Sequence, residues 1–402
     1  MGPPPGGPPD KVAPRLVSTS PESLGVYPDF KGSVDFQFDE TLSEGGTPSL
    51  GTGTSELERV VLLSPTTNVP EVGWHRSRLS VKPREGWRPN RVYRVELLPG
   101  VKDIRNNAED STVVVTFTTG APIPTHRLAG RVIDWTTRQP GRGALIRAEL
   151  LPDTLPYLIL ADSAGRYDLE PLPGGRYLVL AIGDQNHNRR LESRELFDSL
   201  SIDEGTTEVP ALWLQPHDTV PPRIQSITVE DSTAATVEFS GPLDPYSPPP
   251  FAAFRLVALP DSVEVEGASL VSKAAEDSLR ARQRAEAEKA DTTRAKAPAP
   301  TQPFRPAPPP SRPAKGAKAV APDTAGLAAL LAERPALQTR LVVRVPTAFA
   351  PGKKYALEIT ALRGLGGAVG NVRGGLAVPV PKPSKPDSTS RPSVPGDSVK
   401  SR

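Results

Sequence analysis

The chain has 402 residues, with 48 lysines and arginines against 46 aspartates and glutamates, 49 prolines, 33 glycines and no cysteine. That length leaves room for two to four domains, and the proline and glycine content, with aromatics at only 5%, exceeds what a single compact core takes up. A formal net charge of +2 provides no global field for nucleic acid or a membrane surface, and the lack of cysteine excludes disulfides, thiolate metal sites and a cysteine nucleophile.

Residues 1–13 are Gly/Pro-rich and read as linker. From Pro14 the pattern changes to short runs of period two: Val34, Phe36 and Phe38, then Tyr93, Val95 and Leu97, then Val113, Val115 and Phe117. These predict half-buried strands. Turn signals at Gly45-Gly46, Pro83 to Gly86 and Arg88-Pro89-Asn90 separate them, so residues 14–120 form one β-sandwich. After a Pro-rich hinge, residues 126–216 read as a second sandwich, with strands predicted over 128–134, 144–151, 157–161, 166–170, 177–182 and 209–214. The strand over 177–182 is apolar on both faces, as a central strand is. A third sandwich, 221–380, opens with Pro222-Arg-Ile-Gln-Ser226, which echoes Pro14-Arg-Leu-Val-Ser18. Val237-Glu-Phe-Ser240 likewise echoes Phe36-Gln-Phe-Asp39, and Ala350 to Ile359 echoes Arg88 to Leu97, which predicts an internal duplication of the outer modules. A low-complexity insert, 267–337, interrupts the second copy. Its 274–289 stretch has strong helix formers but no apolar stripe and so no face to pack, residues 296–322 favour extended states, and 325–332 predicts one short helix. The fold class is therefore all-β, a tandem β-sandwich with a disordered insert and a disordered tail over 381–402.

The concentrated set of potential metal ligands is Asp184 to Glu195, directly after the 177–182 strand. Asp184, Asn186 and Asn188 stand at positions 1, 3 and 5 of a twelve-residue loop, Glu192 at 9 and Glu195 at 12, with the backbone carbonyl of Arg190 at 7 and apolar Leu191 at 8. That spacing supplies the oxygen ligands of a Ca2+ loop of the EF-hand kind. Position 6, where such loops place glycine at positive φ, is Arg189, and two adjacent arginines oppose a cation. The competing reading is a polar loop whose Asp and Asn side chains support turns. No cofactor other than calcium is implied.

The four histidines, His75, His126, His187 and His217, are scattered, and no serine lies in a nucleophile-elbow pattern. Asp39 and Glu40 are adjacent on a strand end and point to opposite faces, a poor acid/base pair. Gly364 to Gly370 lacks the Lys-Ser/Thr ending of a P-loop and predicts a hairpin turn. Basic residues of the insert, Lys296, Arg305, Arg312, Lys315 and Lys318, have only Phe304 interleaved, so nucleic acid is not an expected partner. No catalytic residue is assigned.

The first module, with Pro14-Arg-Leu-Val-Ser, Phe36-Gln-Phe-Asp-Glu40, Leu79-Ser-Val-Lys-Pro83, Pro89-Asn-Arg-Val-Tyr93, Lys102-Asp-Ile-Arg-Asn106 and Phe117-Thr-Thr119, resembles the bacterial Ig-like domains of the S-layer type. The third follows the same pattern without the closing Phe-Thr-Thr. The middle module, with Gly130-Arg-Val-Ile-Asp134, Asp162-Ser-Ala-Gly-Arg-Tyr167 and Leu172-Pro-Gly-Gly-Arg-Tyr177, resembles the carboxypeptidase regulatory-like, transthyretin-like sandwiches. The resemblance implies Ig-like, transthyretin-like and Ig-like sandwiches in series, usually non-catalytic, in a structural or adhesive protein of the cell envelope. Its expected partners are envelope proteins or polysaccharide; the alternative role is an accessory or carbohydrate-binding subunit of an envelope hydrolase. The plan is similar to that of secreted lipoproteins whose Gly/Pro-rich segment follows a lipidated cysteine. Since Met1 to Lys11 has neither a signal peptide nor a cysteine, the membrane contact expected is a lipid anchor missing from this chain.

Overall fold

The computed structural model describes residues 10–43, 57–247, 254–294 and 324–380. The linker up to Pro9, the Gly45-Gly46 turn, the Pro/Ala/Lys-rich stretch with its basic residues and the tail after Val380 lie outside the described residues. The described chain is all-β apart from two helices and divides into two compact units, one running to His217 and taking in residues 324–337, the other made of the remainder from Asp218 onward.

In the first unit, the opening sandwich contains β1 (Leu16–Ser20), β2 (Val34–Phe38), β3 (Val61–Ser64), β4 (Glu71–His75), β5 (Arg78–Lys82), β6 (Val92–Leu97) and β7 (Val113–Thr118). Its sheets run β1-β2-β5-β4 and β3-β6-β7. The period-two pattern of β2 is realised: Val34, Phe36 and Phe38 enter the core while Asp35 and Gln37 stay half-exposed. β6 departs from that expectation, because all six of its residues are buried. On the face away from the core, Arg94 and Glu96 form a buried ion pair beside the buried Leu62 and Thr116. Water is excluded there because the second sandwich packs on this side, where the Leu158 amide donates to Ser64 Oγ at 2.8 Å. A residue pair that reads as a solvated strand face is thus the floor of a joint between two modules.

That second sandwich contains β8 (His126–Asp134), β9 (Gln139–Pro140), β10 (Leu145–Leu151), β11 (Leu155–Leu160), β12 (Arg166–Leu172), β13 (Arg176–Ile182), β14 (Phe197–Ile202) and β15 (Leu212–Leu214). One sheet runs β11-β10-β13-β14; the other runs β12-β8-β15, with β9 on β8 and β15 parallel to β8. β13 is central, as its two apolar faces predict, and Tyr177 on it is fully buried with its hydroxyl donating to Pro173 O at 2.6 Å. Gly130 is required where it stands, because a Cβ there would lie 2.6 Å from the Tyr167 hydroxyl. Helix α2 (Thr324–Glu333), at the position the sequence predicts, belongs to this unit. Beyond its end, Trp135 Nε1 donates to Pro335 O at 2.8 Å, and the Arg334 guanidinium lies 4.9 Å from the ring centres of both Trp135 and Trp213. The last residues of the insert are therefore packed by cation–π contact.

The second unit contains β16 (Ile224–Asp231), β17 (Ala234–Leu243), β18 (Phe254–Leu259), β19 (Val263–Glu264), β20 (Ser269–Ser272), α1 (Lys273–Arg294), β21 (Gln338–Arg344), β22 (Lys354–Arg363) and β23 (Val369–Ala377). Its sheets, β16-β17-β21-β20 and β19-β18-β22-β23, repeat those of the first sandwich strand for strand, with β19 added at an edge. The repeated sequences make repeated bonds. Asp39 and Ser240 each return a backbone bond to Arg15 and Arg223, while their side chains accept the amides of those arginines. Tyr93 and Tyr355 each accept, on the hydroxyl, the amide five residues upstream, from Arg88 and Ala350. Where the first copy turns from β4 to β5 through Arg76 and Ser77 alone, the second carries the insert between β20 and β21. The insert begins in order: β20 pairs with β21, and α1 has a packed face after all. Its Glu276 is fully buried, in ion pairs with Arg280 at 2.6 Å and Arg344 at 3.0 Å. A charged residue supplies that face, which is why an apolar-stripe criterion misses it.

Candidate functional site

The β13–β14 connection, residues 183–196, is closed at its neck by the Gly183 amide donating to Leu196 O at 2.8 Å. Inside it the polar side chains wind the backbone. Asp184 accepts the Asn188 amide at 3.1 Å on Oδ1 and the Arg189 amide at 2.9 Å on Oδ2. Asn186 Oδ1 accepts the Asn188 amide at 3.0 Å, and Asn188 Oδ1 accepts that of Arg190 at 2.8 Å. Asn188 Nδ2 donates to Glu192 Oε1 at 2.6 Å, and Glu195 Oε2 accepts the Glu192 amide at 3.0 Å. Glu195 is buried, with its other carboxylate oxygen unpartnered. Arg189 holds φ of 61°, the left-handed turn the loop spacing asks for at its sixth position, and His187 holds 58°. Each costs about 1 kcal/mol or more in a residue with a Cβ. Leu191, at the apolar eighth position, is 39% exposed and packs no core.

Arg189 is 8% exposed and leaves the loop for the first sandwich, where Nη2 donates to Glu58 O at 2.5 Å. Burial lowers its guanidinium to about 10, against the opposing pull of Asp184 and Glu58, so it stays charged at neutral pH. Burial raises the Glu58 carboxyl above its ordinary range, with Arg84 and Arg189 holding it back. Glu58 Oε1 and Arg189 Nη1 are both buried without hydrogen-bond partners.

Beside this contact lies a cavity of about 250 Å³. Arg147, Arg189 and Arg190 line it together with the Thr66 to Asn68 turn, over an apolar floor that includes Pro156 and Leu158. Glu85 ties that turn down, accepting from Thr66 Oγ1 at 2.7 Å and the Thr67 amide at 2.9 Å. No carboxylate lines the cavity. Sequence reasoning reaches Arg190 and Asn188 as loop residues but not their convergence with Arg147 and Thr66, since these come from three separate stretches of chain.

A larger open recess of about 710 Å³ runs along β8 and β12, but its charges are matched: Arg127 lies 3.3 Å from Asp168, and Arg166 3.1 Å from Asp162. Among the described residues, one set of three acidic side chains brings its oxygens within 4.8 Å of one another, and it is Asp10, Glu40 and Asp103 rather than the 184–195 loop. The Glu40 carboxyl is raised there by partial burial and by the charges of Asp103, Asp10 and Asp39. Asp103 is lowered despite burial, because Asn107 and the Arg105 amide donate to it. Asp39 goes elsewhere, to the Arg15 amide, so Asp39 and Glu40 do diverge as predicted. The histidines stay apart: His126 stacks on Tyr177, His217 stacks on Phe197 with Nε2 2.8 Å from Phe197 O, and His75 and His187 are exposed. Gly364 to Ala368 is the expected hairpin turn, joining β22 to β23.

No curated protein matches the chain. Among solved structures, an L,D-transpeptidase from Mycobacterium smegmatis is 12% identical with a TM-score of 0.19, covering 50% of this chain and 90% of its own. The major pilin subunit BcpA of Bacillus cereus is 10% identical with a TM-score of 0.17, covering 48% and 67%. The N-terminal part of the bacterial S-layer protein SbsC is 15% identical with a TM-score of 0.18, covering 49% and 42%. At such scores the likeness says nothing about activity or partners. Residues 10–119, the first sandwich, fit the model of the bacterial Ig-like domain.

Proposed function

We propose that the chain is a non-catalytic structural or adhesive protein of the bacterial cell envelope, in which Ig-like modules present binding surfaces or act as a spacer. The observation that carries this reading is the duplication: a second sandwich repeats the strand order and the tyrosine and Arg-anchored bonds of the one that matches the bacterial Ig-like domain. Repetition of a self-contained module lengthens the surface a chain presents. Fractionation of the native cells with an antibody to the chain, followed by affinity purification from the envelope fraction, tests it. Recovery in the envelope with non-enzymatic surface components is expected. Recovery in the cytosol overturns the reading, and stoichiometric recovery of a hydrolase replaces it with the accessory role.

Within this reading, the 184–195 loop takes calcium through Asp184, Asn186, Asn188, the Arg190 carbonyl, Glu192 and Glu195, stiffening the β13–β14 end of a spacer. One feature favours it: the left-handed turn at Arg189. Oxygen ligands in this number suit a hard cation. Titration of the full chain with millimolar calcium is expected to release or absorb heat and raise the melting temperature, and Asp184→Asn is expected to abolish both. A flat titration with no thermal shift removes the site.

A further inference from the structure

The lining of the cavity beside the 184–195 loop is uneven in charge. Three arginines border it and no carboxylate does. Arg147 is partnered, 2.6 Å from Glu149. Arg190 is exposed, and its side chain makes no hydrogen bond or ion pair among the described residues. Arg189 is more than nine-tenths buried, and while Nη2 is used on Glu58 O, Nη1 has no partner. A buried guanidinium nitrogen left unbonded is costly. Nη1 is closed off from the cavity as it is from water, so Arg189 gives the wall a fixed positive charge and no free N–H. Thr67 and Asn68 form a polar edge, with the Thr67 amide and hydroxyl already given to Glu85, and Pro156 and Leu158 offer an apolar surface to the body of a small molecule.

We propose that this cavity is a binding site for a small oxyanion, a carboxylate or phosphate carried on a molecule of about monosaccharide size. Planar guanidinium groups pair with such anions through two parallel N–H bonds, which fixes orientation as well as charge. Arg189 and Arg190 come from the loop of the second sandwich, and Thr66 to Asn68 from the first, so an occupant bridges the two modules and binds best when their joint is intact. The volume, about 250 Å³, sits just below the usual range of small-molecule pockets, about 300–1,000 Å³, which suits a terminal or single anionic group. The larger recess along β8 and β12 differs, since it is lined by carboxylates, with Arg127 paired to Asp168 and Arg166 to Asp162.

The test is calorimetric titration of the full chain, at constant ionic strength set with chloride, by glucuronate, by inorganic phosphate and by neutral glucose. Saturable binding of glucuronate, phosphate or both, with glucose silent, is the expected result, and which anion binds identifies the carrier class. Arg190→Gln, a change at an exposed position, is expected to weaken that binding by about tenfold or more, with the melting temperature unchanged. Glucose binding as well as glucuronate, silence with both anions, or an Arg190→Gln affinity equal to that of the parent overturns the proposal. The outcome is independent of calcium, because the chain is stripped of calcium and the chelator dialysed away before the titrations.

Discussion

Phe117→Ala is expected to destabilise the first sandwich by about 3–5 kcal/mol, the cost of truncating a buried aromatic and leaving its cavity. Phe117 is fully buried on β7 and sits at the centre of an aromatic cluster. Its ring centre lies 5.0 Å from Phe30, 5.2 Å from Trp87 and 5.7 Å from Tyr93. Two of these contacts are edge-to-face, worth about 0.5–1.5 kcal/mol each beyond area burial. Because Phe30 and Trp87 are only partly buried and lie in connections between strands, the rings cannot close the gap without pulling those connections inward. Hydrogen exchange of the β6 and β7 amides reads this sandwich alone, and their protection should fall together. Val114→Ala, on the same strand but 39% exposed, is the control and should move exchange little. If Phe117→Ala costs less than about 1 kcal/mol, the aromatic cluster does not hold this sandwich together.

The sequence carries the parts of the fold that rest on neighbours in the chain. β2 alternates because one face meets its own core and the other meets water, and Val34, Phe36 and Phe38 show it directly. The winding of the 184–195 loop is equally local: Asp184, Asn186 and Asn188 bond amides two to five residues away. The duplication is legible for a related reason, since Tyr93 and Tyr355 serve the same turn in each copy. β6 misleads because its second face is covered by another module, so Arg94 and Glu96 look solvated and are not. β14 escapes notice because Phe197, Leu200 and Ile202 do not keep period two. The candidate oxyanion cavity is invisible for the strongest version of that reason: Arg147, Arg189 and Thr67 converge only through tertiary packing, and Glu58 meets Arg189 across 131 residues of chain.

Arg189→Met tests that long-range contact and should carry a pH signature. Methionine matches much of the volume but removes the bond to Glu58 O and the cation beside the Glu58 carboxylate. Leaving a buried polar group without its partner costs about 1–3 kcal/mol. Part of this loss is independent of pH, because the Glu58 carbonyl is orphaned at every pH. The rest follows the carboxyl. Burial holds Glu58 above its ordinary value of 4.5, so its charged form is disfavoured in the folded state and protonated Glu58 is tolerated. Stability from this group is therefore greatest below the unfolded value and falls as pH rises through the folded one. Without Arg189 the folded value moves further up, which widens the window in which the charged form is penalised. The difference between Arg189→Met and the parent should be smallest near pH 4 and largest at pH 7, measured by denaturant unfolding at each pH. Adding Glu58→Gln should shrink the pH-dependent part, leaving the share that Asp184 contributes, and should leave the constant part. A loss that is the same at both pH values, or that Glu58→Gln leaves unchanged, would mean that the loop is held to the first sandwich by packing and not by this charge contact.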